Sequence, residues 1–268
     1  MGIVVDPDWW KTLFDEVYLK TDARSVCDQE ISMREVDLVC TLLSPEPGHR
    51  ILDMCGGQGR HSLELWKRGY AHCTVVDYSH HLVDLGKRTA GKRNCEVRFI
   101  QGDARDTSLP SASFDHILIL GNSLGYLPDE DDDGRILTEA YRLLKPGSAI
   151  LVDVTDGDKV LNELNPNAWH EVDEDLVVCR HRELNGRRIK AREMVFSRQK
   201  GLVRDQSYSI RIYRPDELES LVIRSGFVDV RIHRNFSPHG KNGDYGFMNK
   251  RVLVTAKKPG KKGDKDEG

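Results

Sequence analysis

The sequence predicts an α/β fold: a doubly wound sheet with helices on both faces, an N-terminal helical cap and a small antiparallel β insertion. Three observations carry that prediction. Short apolar strands alternate with helical segments from about residue 50 to about 155. The first strand runs directly into a glycine-rich turn, ILDMCGGQGR, at 51–60. After 158 helical periodicity gives way to Val/Ile alternation around an Asn185-Gly186 turn.

Within 1–45, Trp9, Trp10, Leu13, Phe14, Val17 and Tyr18 recur at helical spacing. They predict a helix pair that packs on the core or closes over a ligand. Residues 46–157 form the core, with strands expected at 50–54, 73–77, 97–100, 116–120 and 149–154. Between them, the first helix stops at Gly69 and Ser79 is positioned to cap the second. The clearest helix, 135–144, carries Ile136, Leu137, Ala140, Leu143 and Leu144 on one stripe and ends at Lys145-Pro146-Gly147. The insertion, 158–212, reads as two or three antiparallel strands forming a lid. Residues 213–257 complete the core, with a helix from Pro215 to Gly226 and strands at 228–233 and 252–256. The Lys/Gly/Asp-rich tail, 258–268, is expected to be disordered.

Composition narrows the class. A formal net charge of −3 over 268 residues argues against an obligatory nucleic-acid partner or an anionic membrane surface. No apolar run reaches the roughly 20 residues that span a bilayer, and Asp6, Asp8 and Lys11 interrupt any leader-like stretch. Six cysteines without a C-x-x-C spacing suit reduced thiols in a cytoplasmic protein. Ten histidines without H-E-x-x-H spacing predict no metal site.

The glycine loop carries the chemistry. Gly57 and Gly59 allow tight turning and close ligand approach, and the following helix N-terminus offers free N–H groups. Asp77 ends the second strand, where a carboxylate accepts both hydroxyls of an adenosine ribose. Asp103 ends the third and is placed to meet an adenine amino group. The ligand is a dinucleotide or S-adenosylmethionine (SAM). Ser62 stands where the third glycine of G-x-G-x-x-G belongs. Asp53 beside the loop repels a pyrophosphate and suits the ammonium of a methionine moiety.

The run Asp53-Met54-Cys55-Gly56-Gly57-Gln58-Gly59 resembles motif I, D-x-[GC]-x-G-x-G, of class I SAM-dependent methyltransferases. Asp77 matches that family's ribose acid and Asp103-Ala104 its adenine-edge pair. SFDHILILGNSLGYL, 113–127, resembles the strand lining the methyl-transfer centre, and LLKPGSAILVDV, 143–154, the fifth strand. The likeness covers about 50–157 and 213–257. It implies a seven-stranded sheet with an antiparallel last strand and SAM as cofactor, leaving S-adenosyl-L-homocysteine. It also implies a cofactor set of Asp53, Cys55, Gly57, Gly59, Asp77, Tyr78, Asp103, Ala104, Gly121 and Asn122. More narrowly, the chain is similar to sugar N,N-dimethyltransferases of macrolide pathways, through SLGYL and through Arg211, Tyr213, Glu217 and Leu218.

The expected reaction moves a methyl group to N or O of a small-molecule acceptor, in a monomer or homodimer. His170 and Tyr18 are the catalytic candidates. Tyr126, Asp156, Arg211, Tyr213 and His239 are the substrate candidates, with Arg60, Arg214 and the 235–250 loop beside them. Other readings are methylation of protein or RNA, SAM binding without catalysis, and a serine hydrolase. The last rests on Gly121-Asn122-Ser123-Leu124-Gly125, which spells a nucleophile elbow, followed by Asp153, His170 and His239. Pro128 and the acids 129–133 stand where that elbow needs a helix; capping a helix N-terminus is the reading preferred for those acids.

Overall fold

The computed structural model describes residues 2–239 and 249–260. Its main sheet has seven strands: β1 (Ile51–Met54), β2 (Cys73–Asp77), β3 (Arg98–Gln101), β4 (Phe114–Ile119), β5 (Leu144–Thr155), β10 (Val228–Phe236) and β11 (Arg251–Lys257). They lie in the order β10-β11-β5-β4-β1-β2-β3. Only β11, the last in sequence, runs antiparallel to its neighbours. This is the expected Rossmann-like arrangement. It is buried on both faces, with one apolar cluster on each side of the sheet. The order reverses at β1, between β4 and β2, so the crevice beyond its C-terminal end is where a ligand enters such a sheet.

Helices α4 (Arg60–Lys67), α5 (His80–Lys92), α6 (Asp132–Leu143) and α8 (Pro215–Arg224) cover the faces. Ser79 caps α5 through Leu82 N–H, as its position predicts. A short helix, α7 (Gly157–Glu163), leads out of β5 and was not anticipated. Its signal was Asp156, whose carboxylate accepts from Asp158 and Lys159 N–H.

Two further regions depart from expectation. The 9–26 stretch is not one helix of a pair. It is a 3-10 turn, Trp9–Lys11, and two short helices, α1 (Glu16–Thr21) and α2 (Ala23–Val26), before the long α3 (Gln29–Leu43). Asp15 and Asp28 each stop the backbone and accept N–H groups of the next turn, so local caps cut the apolar periodicity into pieces. The insertion holds four strands, not two or three: β6 (Asn167–Glu171), β7 (Leu176–Asn185), β8 (Arg188–Ser197) and β9 (Gly201–Arg211), all antiparallel. β6 hid because it buries no residue fully: Asn167, Trp169 and Glu171 are exposed, and only Ala168 and His170 are half-buried. Asn185 pairs with Arg188 across the expected hairpin turn.

The tail begins later than expected. Lys258 donates to the Tyr141 and Leu144 carbonyls, both at 2.8 Å, and its backbone bonds Gly147 and Ser148. Residues 261–268 lie outside the described part.

Candidate functional site

Two cavities meet above the C-terminal edge of β1, β2 and β4. The first is lined by the turn after β1, the ends of β2 and β3, and the β4 loop, and is roofed by Trp10, Phe14, Tyr18 and Val26 of the N-terminal cap. The second lies between the cap, the inner face of the insertion sheet and the start of β11. Phe14, Tyr18, Val26, Arg60, Gly121 and Tyr126 line both.

The glycine turn is fixed by the groups beneath it. Gly59 has φ +73°, and a Cβ there would lie 2.5 Å from the Phe99 ring, so no other residue fits. Cys55 also adopts a left-handed φ of 57°. Asp77 reaches back to the turn: one oxygen accepts from Gly57 N–H and the other from Ser79 N–H, each at 2.8 Å. Burial pushes its carboxyl up to about 6, those two hydrogen bonds opposing the shift. Asp103 accepts a fork from Arg105, at 3.0 Å from Nε and 2.6 Å from Nη2. Burial works against that carboxylate, but Arg105 holds its pKa below the usual range. The roof is tied down by Ser79 Oγ donating to the Phe14 carbonyl at 2.6 Å and Gln58 Nε2 to the Val26 carbonyl at 2.8 Å.

A buried polar chain links the cap to the turn. Glu35 of α3 accepts from Arg60 Nη1 and from His61 Nε2, and His61 Nδ1 faces Asp53 at 4.0 Å. Burial alone would raise the Glu35 carboxyl; Arg60 and His61 together hold it far below the usual range.

The second cavity encloses about 910 Å³, part of it open to solvent. Trp9, Phe14, Tyr18, Tyr126 and Tyr208 form an aromatic wall, with ring centroids 5.0–5.7 Å apart in four of their pairs. Its polar groups come in pairs: Arg180 donates to Glu193 at 2.7 Å and Asp22 at 3.0 Å, and Arg251 grips Asp153 through two bonds of 2.8 and 2.6 Å. Burial raises the Tyr18 and Tyr126 phenols well above their ordinary value.

Residues 51–147 match the family model described as "Methyltransferase domain". Among curated relatives, a putative methyltransferase, YqeM, of Bacillus subtilis is 28% identical over 61% of this chain and 62% of its own. The ubiquinone/menaquinone biosynthesis C-methyltransferase UbiE of a Ruegeria species is 34% identical over 43% and 46%. The chain thus spans about half to three-fifths of the length of these relatives. Among solved structures, a SAM-dependent methyltransferase of Clostridium acetobutylicum superposes with a TM-score of 0.72, at 16% identity over 91% of this chain and 97% of that one. The sugar N-methyltransferase KedS8 of a Streptoalloteichus species gives 0.67, at 18% identity and 97% coverage of both. Residues 51–147 are thus a methyltransferase domain, set in a Rossmann-like fold shared with SAM-dependent methyltransferases.

The methyltransferase domain brings seven of the ten residues of the expected cofactor set to the first cavity: Cys55, Gly57, Asp77, Tyr78, Asp103, Ala104 and Gly121. Three stand behind it. Gly59 makes the bend. Asp53 is sealed under Gly56, accepting from Ser62 Oγ at 3.1 Å. Asn122 accepts from Thr155 N–H at 2.8 Å and locks the β4 loop to β5. The other Asp53 oxygen is buried without a hydrogen-bond partner among the described residues.

On the acceptor side, Tyr18, Tyr126 and His239 line the second cavity. Burial, then Arg251, pushes His239 down to about 4, so it is neutral near pH 7 and does not serve as a cationic anchor. Arg60 lines both cavities, and the remaining candidates lie outside them. Asp156 caps α7. His170 bonds the Thr21 carbonyl at 3.3 Å, pinning insertion to cap. Arg214 sits at the start of α8, facing Asp158 at 3.7 Å. Arg211 and the Tyr213 hydroxyl both donate to one oxygen of Asp133, whose other oxygen accepts from Gly125 N–H at 2.9 Å. The R-x-Y motif thus holds the loop that carries Tyr126, and one acid of the 129–133 run is the buried centre of that clamp. Residues 240–248 of the expected substrate loop lie outside the described part.

The hydrolase geometry is not assembled. Ser123 donates to the Leu120 carbonyl at 2.6 Å, Asp153 is engaged by Arg251, and His239 faces Ser25 at 2.9 Å. Trp10, Phe14 and Val26 are cavity residues that the sequence reading left in the cap; their apolar spacing was visible, but not which face met the sheet.

Proposed function

We propose that the chain transfers the methyl group of SAM to a nitrogen or oxygen of a small molecule. The observation that carries this reading is the shared wall: six residues line both the crevice at the strand ends and the aromatic compartment beside it. In this reading Asp77 takes the ribose hydroxyls and Asp103-Ala104 the adenine edge. The sulfonium then points toward Tyr18 and Tyr126, whose ring faces attract a cation. The acceptor lone pair attacks the methyl carbon in line, and the C–S bonding pair leaves on sulfur, which becomes neutral.

Among the side chains lining both cavities, the titratable ones are Tyr18, Arg60 and Tyr126; no carboxylate or imidazole is shared. Alignment and water exclusion then supply most of the acceleration, and an acceptor with a free lone pair suits the site. Tyr18 orients it. Residues 1–45 and 158–212 act as cap and lid. A concave compartment walled by aromatic rings suits a small ligand better than a protein segment or RNA. The KedS8 likeness favours an amino sugar; the UbiE relatives favour a carbon acceptor in their own case. We place the protein in the cytoplasm, with its thiols reduced.

The test is transfer of labelled methyl from SAM to an acceptor panel of amino sugars, hydroxylated small molecules, protein and RNA. Label in a small-molecule fraction is expected. Label confined to protein or RNA, or no saturable SAM binding by calorimetry, overturns the reading.

A further inference from the structure

Arg60 is the sole guanidinium or ammonium among the described residues lining the first cavity. It lines the second as well, so it stands at the end where the two meet. Its side chain is 14% exposed. Among the described residues its hydrogen bonds run through one nitrogen: Nη1 donates to Glu35 and, at 3.2 Å, to Ser32 Oγ. Nε and Nη2 are thereby left to the cavity as two parallel donors, the fork that matches a carboxylate. The opposite end of the cavity holds Asp103, and Asp77 stands between, so anionic groups occupy the adenosine side and the cation the far side.

We infer that Arg60 clamps the carboxylate of the methionine moiety, and that Glu35, held on the packed helix α3, positions Arg60 for it. The inference rests on the SAM reading of the first cavity and assigns Arg60 to the cofactor, not to an anionic acceptor. Glu35 is a positioning residue: it is 5% exposed, fixed by His61 at 2.9 Å, and belongs to α3 of the cap. A cofactor lacking the amino-acid end would leave the fork empty.

The experiment compares two ligands in calorimetry. S-adenosylhomocysteine carries the carboxylate; 5′-methylthioadenosine has the same adenosine and sulfur without it. Arg60→Lys keeps the charge facing Glu35 but loses the fork; Arg60→Gln loses both. Each is expected to weaken S-adenosylhomocysteine about 10- to 100-fold and to leave 5′-methylthioadenosine within about twofold. Glu35→Gln shifts the same ratio by a smaller factor, a change that general loosening of the fold does not produce. Equal weakening of both ligands, or of neither, overturns the inference while leaving the SAM reading intact. Wild-type protein that binds neither ligand overturns both.

Discussion

In the first cavity, proposed above for SAM, many lining groups are backbone or short side chains at strand ends: Gly57 after β1, Asp77 closing β2, Gly102, Asp103 and Ala104 after β3, Gly121 after β4. The acceptor cavity beside it is walled by long side chains from separate regions: Trp9 and Leu13 from the cap, Arg180, Glu193 and Tyr208 from the insertion sheet, Arg251 from β11. Sheet register fixes the first set, because a strand end cannot shift without breaking its ladder. Buried ion pairs and ring contacts fix the second, and these are replaceable one side chain at a time. The first cavity is therefore set by the sheet itself, and the second by pairs of side chains carried on separate elements.

The most damaging way to attack the second kind of construction is to strip one partner from a buried pair. Arg211→Met leaves the Asp133 carboxyl group fully buried and without its guanidinium partner. The expected cost is about 3–5 kcal/mol of stability, read by denaturant titration. SAM affinity of the protein that remains folded should change less than about threefold, since neither residue lines the cofactor cavity. A stability loss under about 1 kcal/mol would show that the clamp on the Tyr126 loop is decorative.

The first construction breaks at the acid that closes β2. Asp77→Asn preserves shape but converts a double acceptor into a half-donor that opposes Gly57 or Ser79 N–H. SAM affinity is expected to fall about 100-fold, or roughly 2.7 kcal/mol, with the thermal midpoint of the ligand-free protein nearly unchanged. Calorimetry checks both ligand affinity and enthalpy; an affinity within threefold of wild type removes Asp77 from the ribose role.

The same contrast explains what the sequence made legible. The glycine turn and its acid were readable because their chemistry depends on local rules: a positive φ at Gly59, an acid at a strand end. The seven strands followed from apolar runs and were placed within a few residues. The acceptor wall was not readable, because it depends on which residues four separate segments bring together. Arg211 and Tyr213 were assigned to substrate from a local motif, yet Asp133, about 80 residues away, takes both. His170 was chosen for its chemistry and proved to tie two structural layers. Asp53 was read as facing the ligand; it lies beneath Gly56, one oxygen bonded to Ser62 and the other without a partner among the described residues, a placement that no spacing along one strand reveals.

A gentler probe of the cofactor grip is pH. The Asp77 carboxyl sits at about 6 in the ligand-free protein, above the 3.8 of a free aspartate. Ribose hydroxyls donate to the ionised form, so SAM affinity is expected to hold above pH 7 and to fall up to tenfold per unit below about pH 6. Binding near pH 5.5 should release a proton, visible as a buffer-dependent enthalpy that vanishes at pH 8. The sign for folding is opposite to that of a paired carboxylate. The native state takes up this proton at higher pH than the unfolded chain, so the contribution of Asp77 to ligand-free stability is present near pH 4 and is lost as pH rises through 6. In Asp77→Asn both dependences should vanish.

The smallest effect is expected at Ser123, although a nucleophile-elbow reading makes it the largest. Its hydroxyl lines the cofactor cavity but donates to the Leu120 carbonyl at 2.6 Å and faces the Cys55 carbonyl at 3.5 Å, with no imidazole among its hydrogen-bond partners. Removing it costs one neutral hydrogen bond inside a loop already held by Asn122 and Asp153, about 1 kcal/mol or less. Ser123→Ala is therefore expected to keep SAM affinity within about fivefold, and a fluorophosphonate probe should label wild type no more than the variant. Labelling that disappears with the hydroxyl would mean that a base reaches Ser123 in solution. The division between a backbone-built cofactor site and a side-chain-built acceptor site would then have to be redrawn around the β4 loop.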